Sequence, residues 1–186
     1  MRKLFTALLL AAMLALPIAA SAAPADAGAK SAQGAFAVYG NKDYGFQAQY
    51  PAGWQVIEGA AETVVAFHSP LTAAGDRFSE NVNVIVEDLA AHPGLTLDGY
   101  EKLGLANLAA FMPELAVKER RAGTLAGRAA KLVEFTCRQD AYRLHVLQMM
   151  TIANGRAYVA TYTAEETEYG RFLPAARKIM ASLTIK

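Results

Sequence analysis

Four polar residues that lie close together in the sequence have side chains suited to binding a hard cation. Asp76 and Glu80 supply carboxylates, and Asn81 and Asn83 supply amide oxygens, in a polar loop and at the start of the segment that follows it. Calcium typically takes six or more oxygen ligands. The group offers too few well-spaced oxygens to favour a cation site over a solvated turn. We therefore treat the four residues as candidate binding residues of a loop and assign no metal ligand.

The histidines and the single cysteine show no spacing typical of a catalytic or metal centre. His68, His92 and His145 fall on different predicted elements, whereas zinc-binding histidines recur at short, characteristic intervals. Cys137 shares a predicted strand face with apolar residues, so we expect it to be buried and unreactive. The sequence also lacks phosphate-binding glycine loops, the nucleophile elbow, His-Glu-x-x-His and Cys-x-x-Cys. We predict no catalytic residue, no cofactor and no enzymatic activity.

The N-terminal segment indicates export. Arg2 and Lys3 precede an uncharged apolar run that ends at Ala20-Ser21-Ala22, which is the pattern of a secretory signal peptide. We place cleavage after Ala22. The alternative is a permanent membrane anchor, but the run is shorter than the about 20 apolar residues that span a bilayer, and Pro17 interrupts it.

The remaining chain is predicted to be one domain. The 186 residues are 54% hydrophobic and 19% charged, which suits a single domain with its own core. Residues 23–35 are small and polar and predict a disordered leader, and residues 36–186 form the domain. Loss of residues 1–22 changes the formal charge from +1 to −1 because they contain two cations and no acid. Near-neutrality argues against nucleic-acid binding.

Three consecutive segments predict an antiparallel meander. Ala129–Cys137, Tyr142–Ile152 and Arg156–Thr163 are rich in β-forming residues and are separated by turn-forming ones. In the middle segment Val146 and Leu147 point to opposite faces, and both faces are apolar. Something must therefore cover the sheet on both sides.

Two helices are predicted as these covers. The first follows the N-cap Thr96 and ends at Pro113, with an apolar stripe that includes Tyr100, Leu108 and Phe111. The second is predicted to begin at the capping box Thr163–Glu166 and to reach about Ser182, with a break or kink at Pro174.

Shorter segments complete the predicted sheet. Phe46, Ala48 and Tyr50 alternate with glutamines in a strand that Pro51 ends, and Trp54 is expected to be buried. The segment 81–86 predicts a half-buried strand with a polar outer face that carries Asn81 and Asn83. The charged segment 115–121 predicts an edge strand.

Three motifs resemble the PsbP-like and DcrB-like group of exported proteins. They are Tyr44-Gly45-Phe46 with Tyr50-Pro51-x-Gly53-Trp54, the strand start Glu80–Val84, and Asn154–Val159. Their order, with a helix between the second and third, covers nearly all of residues 36–186. The resemblance implies an antiparallel sheet sandwiched between helices, an α/β (α+β) fold with helices on both faces.

The resemblance also implies a mode of action. Members of this group include an extrinsic subunit of the photosynthetic oxygen-evolving complex, envelope proteins, and a similar nuclear factor that binds a small GTPase, so the shared property is noncatalytic binding to a larger protein. DcrB-type members are often lipoproteins, and this chain departs from them because it has no cysteine directly after the apolar run.

The sequence therefore predicts a periplasmic or secreted protein-binding or assembly module of the cell envelope, without a stable membrane anchor after signal cleavage. The sequence is also compatible with two alternatives, a small-molecule or divalent-cation binding protein and an enzyme of unrecognised type. The partner and the oligomeric state are open as well.

Overall fold

The computed structural model describes residues 35–186. The predicted signal peptide and the predicted leader up to residue 34 lie outside the described residues. The elements follow one another along the chain as β1 (Phe36–Asn41), β2 (Phe46–Pro51), β3 (Gln55–Glu58), β4 (Val65–His68), β5 (Asn81–Asp88), α1 (Leu97–Phe111), β6 (Ala116–Leu125), β7 (Arg128–Gln139), β8 (Tyr142–Ala153), β9 (Arg156–Glu165), α2 (Tyr169–Ala181) and β10 (Thr184–Ile185). Neither helix in this part of the chain is long and apolar enough to cross a membrane.

Seven strands form the larger sheet, in the order β3-β4-β5-β9-β8-β7-β6. All neighbours pair antiparallel. The predicted meander is confirmed as the neighbours β7, β8 and β9, and the predicted edge strand as β6. Asn154 and Gly155 join β8 to β9 with φ values of 53° and 72°. Two successive positive φ values give the tight turn whose twist matches that of the paired strands.

Both faces of the larger sheet are buried, as the alternation in β8 predicted. Val146 contributes to an apolar cluster with Tyr100 and Leu108 of α1. Leu147 contributes to a second cluster on the opposite face, with Ala176 and Ile179 of α2. The predicted α+β architecture, a mainly antiparallel sheet with helices on both faces, is confirmed.

A second, smaller sheet shares the α2 side of the molecule. It has the order β1-β2-β10, and α2 packs against β2 as well as β9. Phe46 and Ala48 are buried while Gln47 and Gln49 are exposed, so the predicted one-sided strand is confirmed. Trp54 is 9% exposed and belongs, with Phe46 and Ala48, to the apolar cluster on the α2 side of the larger sheet. Its predicted burial is confirmed.

The start of the second helix differs from the prediction. Thr163 lies inside β9, opposite Asn81 and Val146, and is fully buried. The helix begins six residues later at Tyr169, and no side chain caps it. The capping-box prediction is wrong because Thr163 and its neighbours form ladder hydrogen bonds in the sheet. The helix also continues through Pro174, so the predicted break does not end it.

The polar face of β5 is also buried, so the predicted polar outer face is wrong. Asn81 is 4% and Asn83 2% exposed. The Asn83 amide donates to Asn81 Oδ1 at 3.5 Å, and the Asn81 amide donates to the carbonyl of Ser79 at 3.3 Å. On β8 and β9 the same face carries Gln148, which donates to Thr161 at 3.0 Å. Buried polar side chains are tolerated where they hydrogen-bond in this way.

The first helix begins where predicted. Thr96 accepts a hydrogen bond from the backbone N–H of Gly99 at 3.1 Å, and the helix ends before Pro113. Tyr100 and Leu108 are buried, but Phe111 is 56% exposed, so its assignment to the apolar stripe is wrong. In this last turn Leu108 faces the apolar cluster and Phe111 faces solvent.

We predict that Val146→Asp severely destabilises the protein. Val146 is fully buried between β7, β9 and the α1 cluster, so an aspartate there has no partner for its charge. We expect a loss of about 4 kcal/mol or more in the free energy of unfolding, measured by urea denaturation.

Two variants calibrate this measurement. Val146→Ala removes only apolar contacts and should cost about 2 kcal/mol, and Val38→Asp, at a side chain 66% exposed, should change little. An aspartate at 146 no worse than the alanine would contradict the burial of this face.

We also predict that the carboxyl of Glu87 makes stability depend on pH. The fully buried Tyr100 donates its hydroxyl to Glu87 Oε2 at 2.9 Å, while Oε1 is buried without a hydrogen bond within residues 35–186. Burial raises the pKa of Glu87 from 4.5 to about 7, against the opposing effect of the Tyr100 hydrogen bond and with a smaller upward contribution from Glu62. The folded state therefore favours the protonated carboxyl.

The consequence is a loss of stability as pH rises from about 4.5 to about 7. The side chain of Glu87→Gln cannot ionise. The variant should therefore have the same free energy of unfolding as the unchanged protein near pH 4, and a higher one at pH 8, where this advantage in stability is fully developed. A pKa shift of this size limits that advantage to about 3 kcal/mol, and partial exposure lowers it. Asp43→Asn at an exposed turn is the control. A stability difference between Glu87→Gln and the unchanged protein that does not vary with pH would contradict the prediction.

Candidate functional site

A groove of about 1030 Å³ lies beside α2. Residues from four separate parts of the chain line it: the start of β1, the β2–β3 turn, the segment after β4, and α2. Its lining consists of Ala35, Phe36, Pro51, Gly53, Trp54, Pro70, Leu71, Thr72, Arg171, Phe172, Pro174, Ala175 and Lys178. Most of this surface is apolar, and three of the lining residues are prolines.

One helical face forms a wall of the groove. Arg171, Pro174, Ala175 and Lys178 follow the spacing i, i+3, i+4 and i+7, which places them on one side of a helix. Ala176, Ile179 and Met180 are buried in the apolar cluster between α2 and the sheets. Packing of this inner side therefore fixes the position of the outer side.

The floor is aromatic. The rings of Trp54 and Phe172 meet edge to face, with centroids 6.1 Å apart and an interplanar angle of 70°, a geometry that aromatic pairs favour. The backbone N–H of Trp54 donates to the carbonyl of Pro51 at 2.8 Å. This turn holds the indole in place against α2.

Two cations lie on the helical wall. Lys178 Nζ is 3.7 Å from the centroid of the Phe36 ring, which is a cation–π contact. Arg171 lies over the ring of Phe172 and donates to Glu168 at 3.1 Å. Both side chains belong to exposed residues, so their charges are available at the mouth of an otherwise apolar groove.

The predicted binding residue Asp76 holds the loop next to this groove. Its Oδ2 accepts from the Thr72 N–H at 2.9 Å and from the Thr72 hydroxyl at 3.1 Å, and its Oδ1 accepts from the Phe78 N–H at 3.1 Å. Although burial acts in the opposite direction, these hydrogen bonds and the charge of Arg171 lower the pKa of Asp76. The carboxylate is thus engaged in shaping the loop that carries Thr72.

Glu80 supports the same loop from its other end. The carboxyl is buried and accepts from the Ser69 hydroxyl at 3.2 Å, and the backbone carbonyl of Glu80 accepts from the Ser69 N–H at 2.8 Å. Burial is the main reason that the pKa of Glu80 is raised. Ser69 directly precedes Pro70, so Glu80 helps to position the groove wall.

Asn81 and Asn83 do not reach the groove. They lie on the face of β5 that carries Ile85, whereas Trp54 belongs to the cluster on the other face. The structure therefore brings Asp76 and Glu80 to one loop and separates them from the two asparagines. Within residues 35–186, no three His, Cys, Asp or Glu side chains are grouped to hold a metal ion.

A second polar group, which no spacing in the sequence indicates, surrounds His145. Its Nε2 lies 2.8 Å from Glu134 Oε1, and its ring stacks on Tyr169 with centroids 3.5 Å apart. The signal was absent because the two strands and the helix that supply these residues meet only in the fold. None of the three residues lines the groove or the two smaller cavities of about 590 and 220 Å³.

Cys137 lies where the sequence predicted. It is 4% exposed, in the cluster with Val133 and Phe135, and burial raises the pKa of its thiol to about 11. At neutral pH such a thiol is almost entirely protonated and is a poor nucleophile.

Comparison with solved structures places this fold among known ones. Cyanobacterial PsbP (CyanoP) from Synechocystis sp. PCC 6803 superposes with a TM-score of 0.59 at 18% identity, over 88% of this chain and 98% of that one. LpqN, involved in cell envelope biogenesis of Mycobacterium tuberculosis, superposes with a TM-score of 0.59 at 15% identity, over 76% of this chain and 83% of that one. PA94 of Pseudomonas aeruginosa, a protein of unknown function and putative regulator, superposes with a TM-score of 0.56 at 16% identity, over 82% of this chain and 99% of that one. These likenesses establish the fold.

The sequence itself matches a family. No curated protein matches it significantly, but the family model described as PsbP matches residues 34–185. The resemblance to PsbP-like proteins is thereby confirmed, and the resemblance to DcrB-like proteins stays a prediction. Because the match covers almost all of the described residues, the chain belongs to the PsbP family.

Proposed function

We propose that this protein is a noncatalytic accessory module of the cell envelope that binds a protein partner through the groove between α2 and the Trp54 turn. The observation that carries the proposal is the groove itself, an open apolar surface with an aromatic floor and two exposed cations. Binding energy at protein interfaces concentrates in such aromatic and arginine side chains.

The chemistry of the lining supports binding rather than catalysis. The polar or charged side chains that reach the groove, apart from the Trp54 indole, are Thr72, Arg171 and Lys178. A general acid–base mechanism needs a titratable group with a pKa near the working pH, most often histidine or a carboxylate. The carboxylates of Asp76 and Glu80 are used to hold the loop, and His145 lies elsewhere.

The cellular location rests on sequence and on relatives. The segment 1–22 has the pattern of a signal peptide, and LpqN, which shares the fold, is involved in cell envelope biogenesis. An accessory role in the periplasm or outside the cell is consistent with both observations.

Affinity capture with matched charge reversals tests this function. The tagged protein, produced near its native level, should enrich a specific envelope protein. Arg171→Glu with Lys178→Glu reverses both groove charges and should reduce that enrichment by about tenfold, because opposite charges at an interface become like charges. Quantitative mass spectrometry of the captured proteins measures the effect.

The control carries the same change of charge elsewhere. Lys42 lies in the β1–β2 turn, at the end of that hairpin away from the groove, and Lys102 is exposed on α1. Lys42→Glu with Lys102→Glu should leave the enrichment intact. The proposal is contradicted if the unchanged protein enriches no specific partner, or if both double variants enrich it equally.

A further inference from the structure

The spacing of the two groove cations points to a particular ligand geometry. Arg171 and Lys178 are seven residues apart on α2, which is about two helical turns and about 10 Å along the axis. This separation is that of the two helix positions, and a ligand that lies along α2 meets both side chains with two negative charges at a similar spacing along one edge.

A polyproline II segment meets this requirement. It has three residues per turn and rises about 3.1 Å per residue, so residues i and i+3 lie on the same edge about 9 Å apart. In a β-strand, by contrast, residues i and i+3 point to opposite faces. Two acidic residues separated by two others match the cations only in the first conformation.

The rest of the groove suits the same conformation. Proline-rich ligands dock in shallow grooves lined by aromatic side chains, and three of the residues that line this groove are aromatic, Phe36, Trp54 and Phe172. A polyproline II backbone has no internal hydrogen bonds, so its carbonyls and N–H groups are available to the groove lining.

The charge state of the groove favours an acidic ligand. Lys178 forms no ion pair with any carboxylate of residues 35–186, and its ammonium group is held at the Phe36 ring. Arg171 pairs with Glu168 at 3.1 Å, and its charge also acts on Asp76, whose hydrogen bonds hold it in the neighbouring loop. An acyl chain would gain little here, because Leu71, Arg171, Pro174 and Lys178 are exposed and leave the groove open to water.

We propose that the groove binds an acidic, proline-rich segment of the partner in the polyproline II conformation, with two acidic residues three positions apart. This inference rests on the proposed partner-binding function and specifies the partner's chemistry. The two cations select the spacing of the acids, and the aromatic floor takes the prolines between them.

Synthetic peptides test the inference directly on the purified protein. The ligand peptide repeats Glu-Pro-Pro, the spacing control holds the same residues with its glutamates adjacent, and the charge control has glutamine for glutamate. Trp54, the only tryptophan, reports binding by its fluorescence, and calorimetry gives the dissociation constants. The ligand peptide should show saturable binding. Each control peptide should bind about three- to tenfold more weakly, as expected for the loss of one or two exposed ion pairs.

A charge exchange makes the test specific. Lys178→Glu should lower the affinity for the ligand peptide by about tenfold. The same variant should bind a peptide in which lysine replaces one glutamate more tightly than it binds the ligand peptide. Lys102→Glu should behave like the unchanged protein. A higher salt concentration should lower the affinity for the ligand peptide more than the affinity for the charge-control peptide.

Several results would overturn the inference. They are the absence of saturable peptide binding, equal affinity for the two glutamate spacings, or binding of anionic phosphatidylglycerol vesicles in place of the peptides. If capture from the envelope still depends on Arg171 and Lys178 in any of these cases, the partner-binding function stands and only the ligand class is wrong. If no partner is captured at all, the proposed function itself fails.

Discussion

The fold depends on the burial of both faces of the larger sheet. In β9, every residue from Ala157 to Ala164 is buried, so neither face of the central strands can meet water. One face requires α1, and the other requires α2 together with the small sheet. Because apolar burial is the main favourable term in folding, these covers are obligatory parts of the domain.

This constraint also explains why the groove is a stable feature. Ala176, Ile179 and Met180 anchor α2 against the sheets, and Trp54 is packed on Phe172 from the other side. The exposed residues of α2 are therefore presented by a helix that cannot shift without opening the core. A binding surface with little freedom loses little entropy when a ligand arrives.

Much of the fold was predictable from local patterns. The two-sided alternation in Tyr142–Ala153, the N-cap Thr96 and the Asn154–Gly155 turn each act over a few residues, and each prediction is confirmed. The prediction failed where a distant segment decided the outcome. Thr163 has the signature of a helix cap but is paired with β5 and β8, and Asn83 has the signature of an exposed strand face but is covered.

The candidate site was far less predictable. Phe36, Trp54, Leu71 and Phe172 come from four segments that are distant in sequence, and no spacing rule connects them. The loop around Asp76 was identified as polar, but its carboxylate makes hydrogen bonds that define the loop. Only the fold shows that the groove lies beside these acids.

The buried thiol of Cys137 gives the protein a natural reporter of its own opening. The side chain is buried on the face of the sheet that α1 covers, and its high pKa keeps it protonated at neutral pH. A thiol reagent can react only in molecules in which the packing around Cys137 has transiently opened, so the labelling rate measures the free energy of that opening. The single cysteine thus allows motion in the core to be timed without altering any residue.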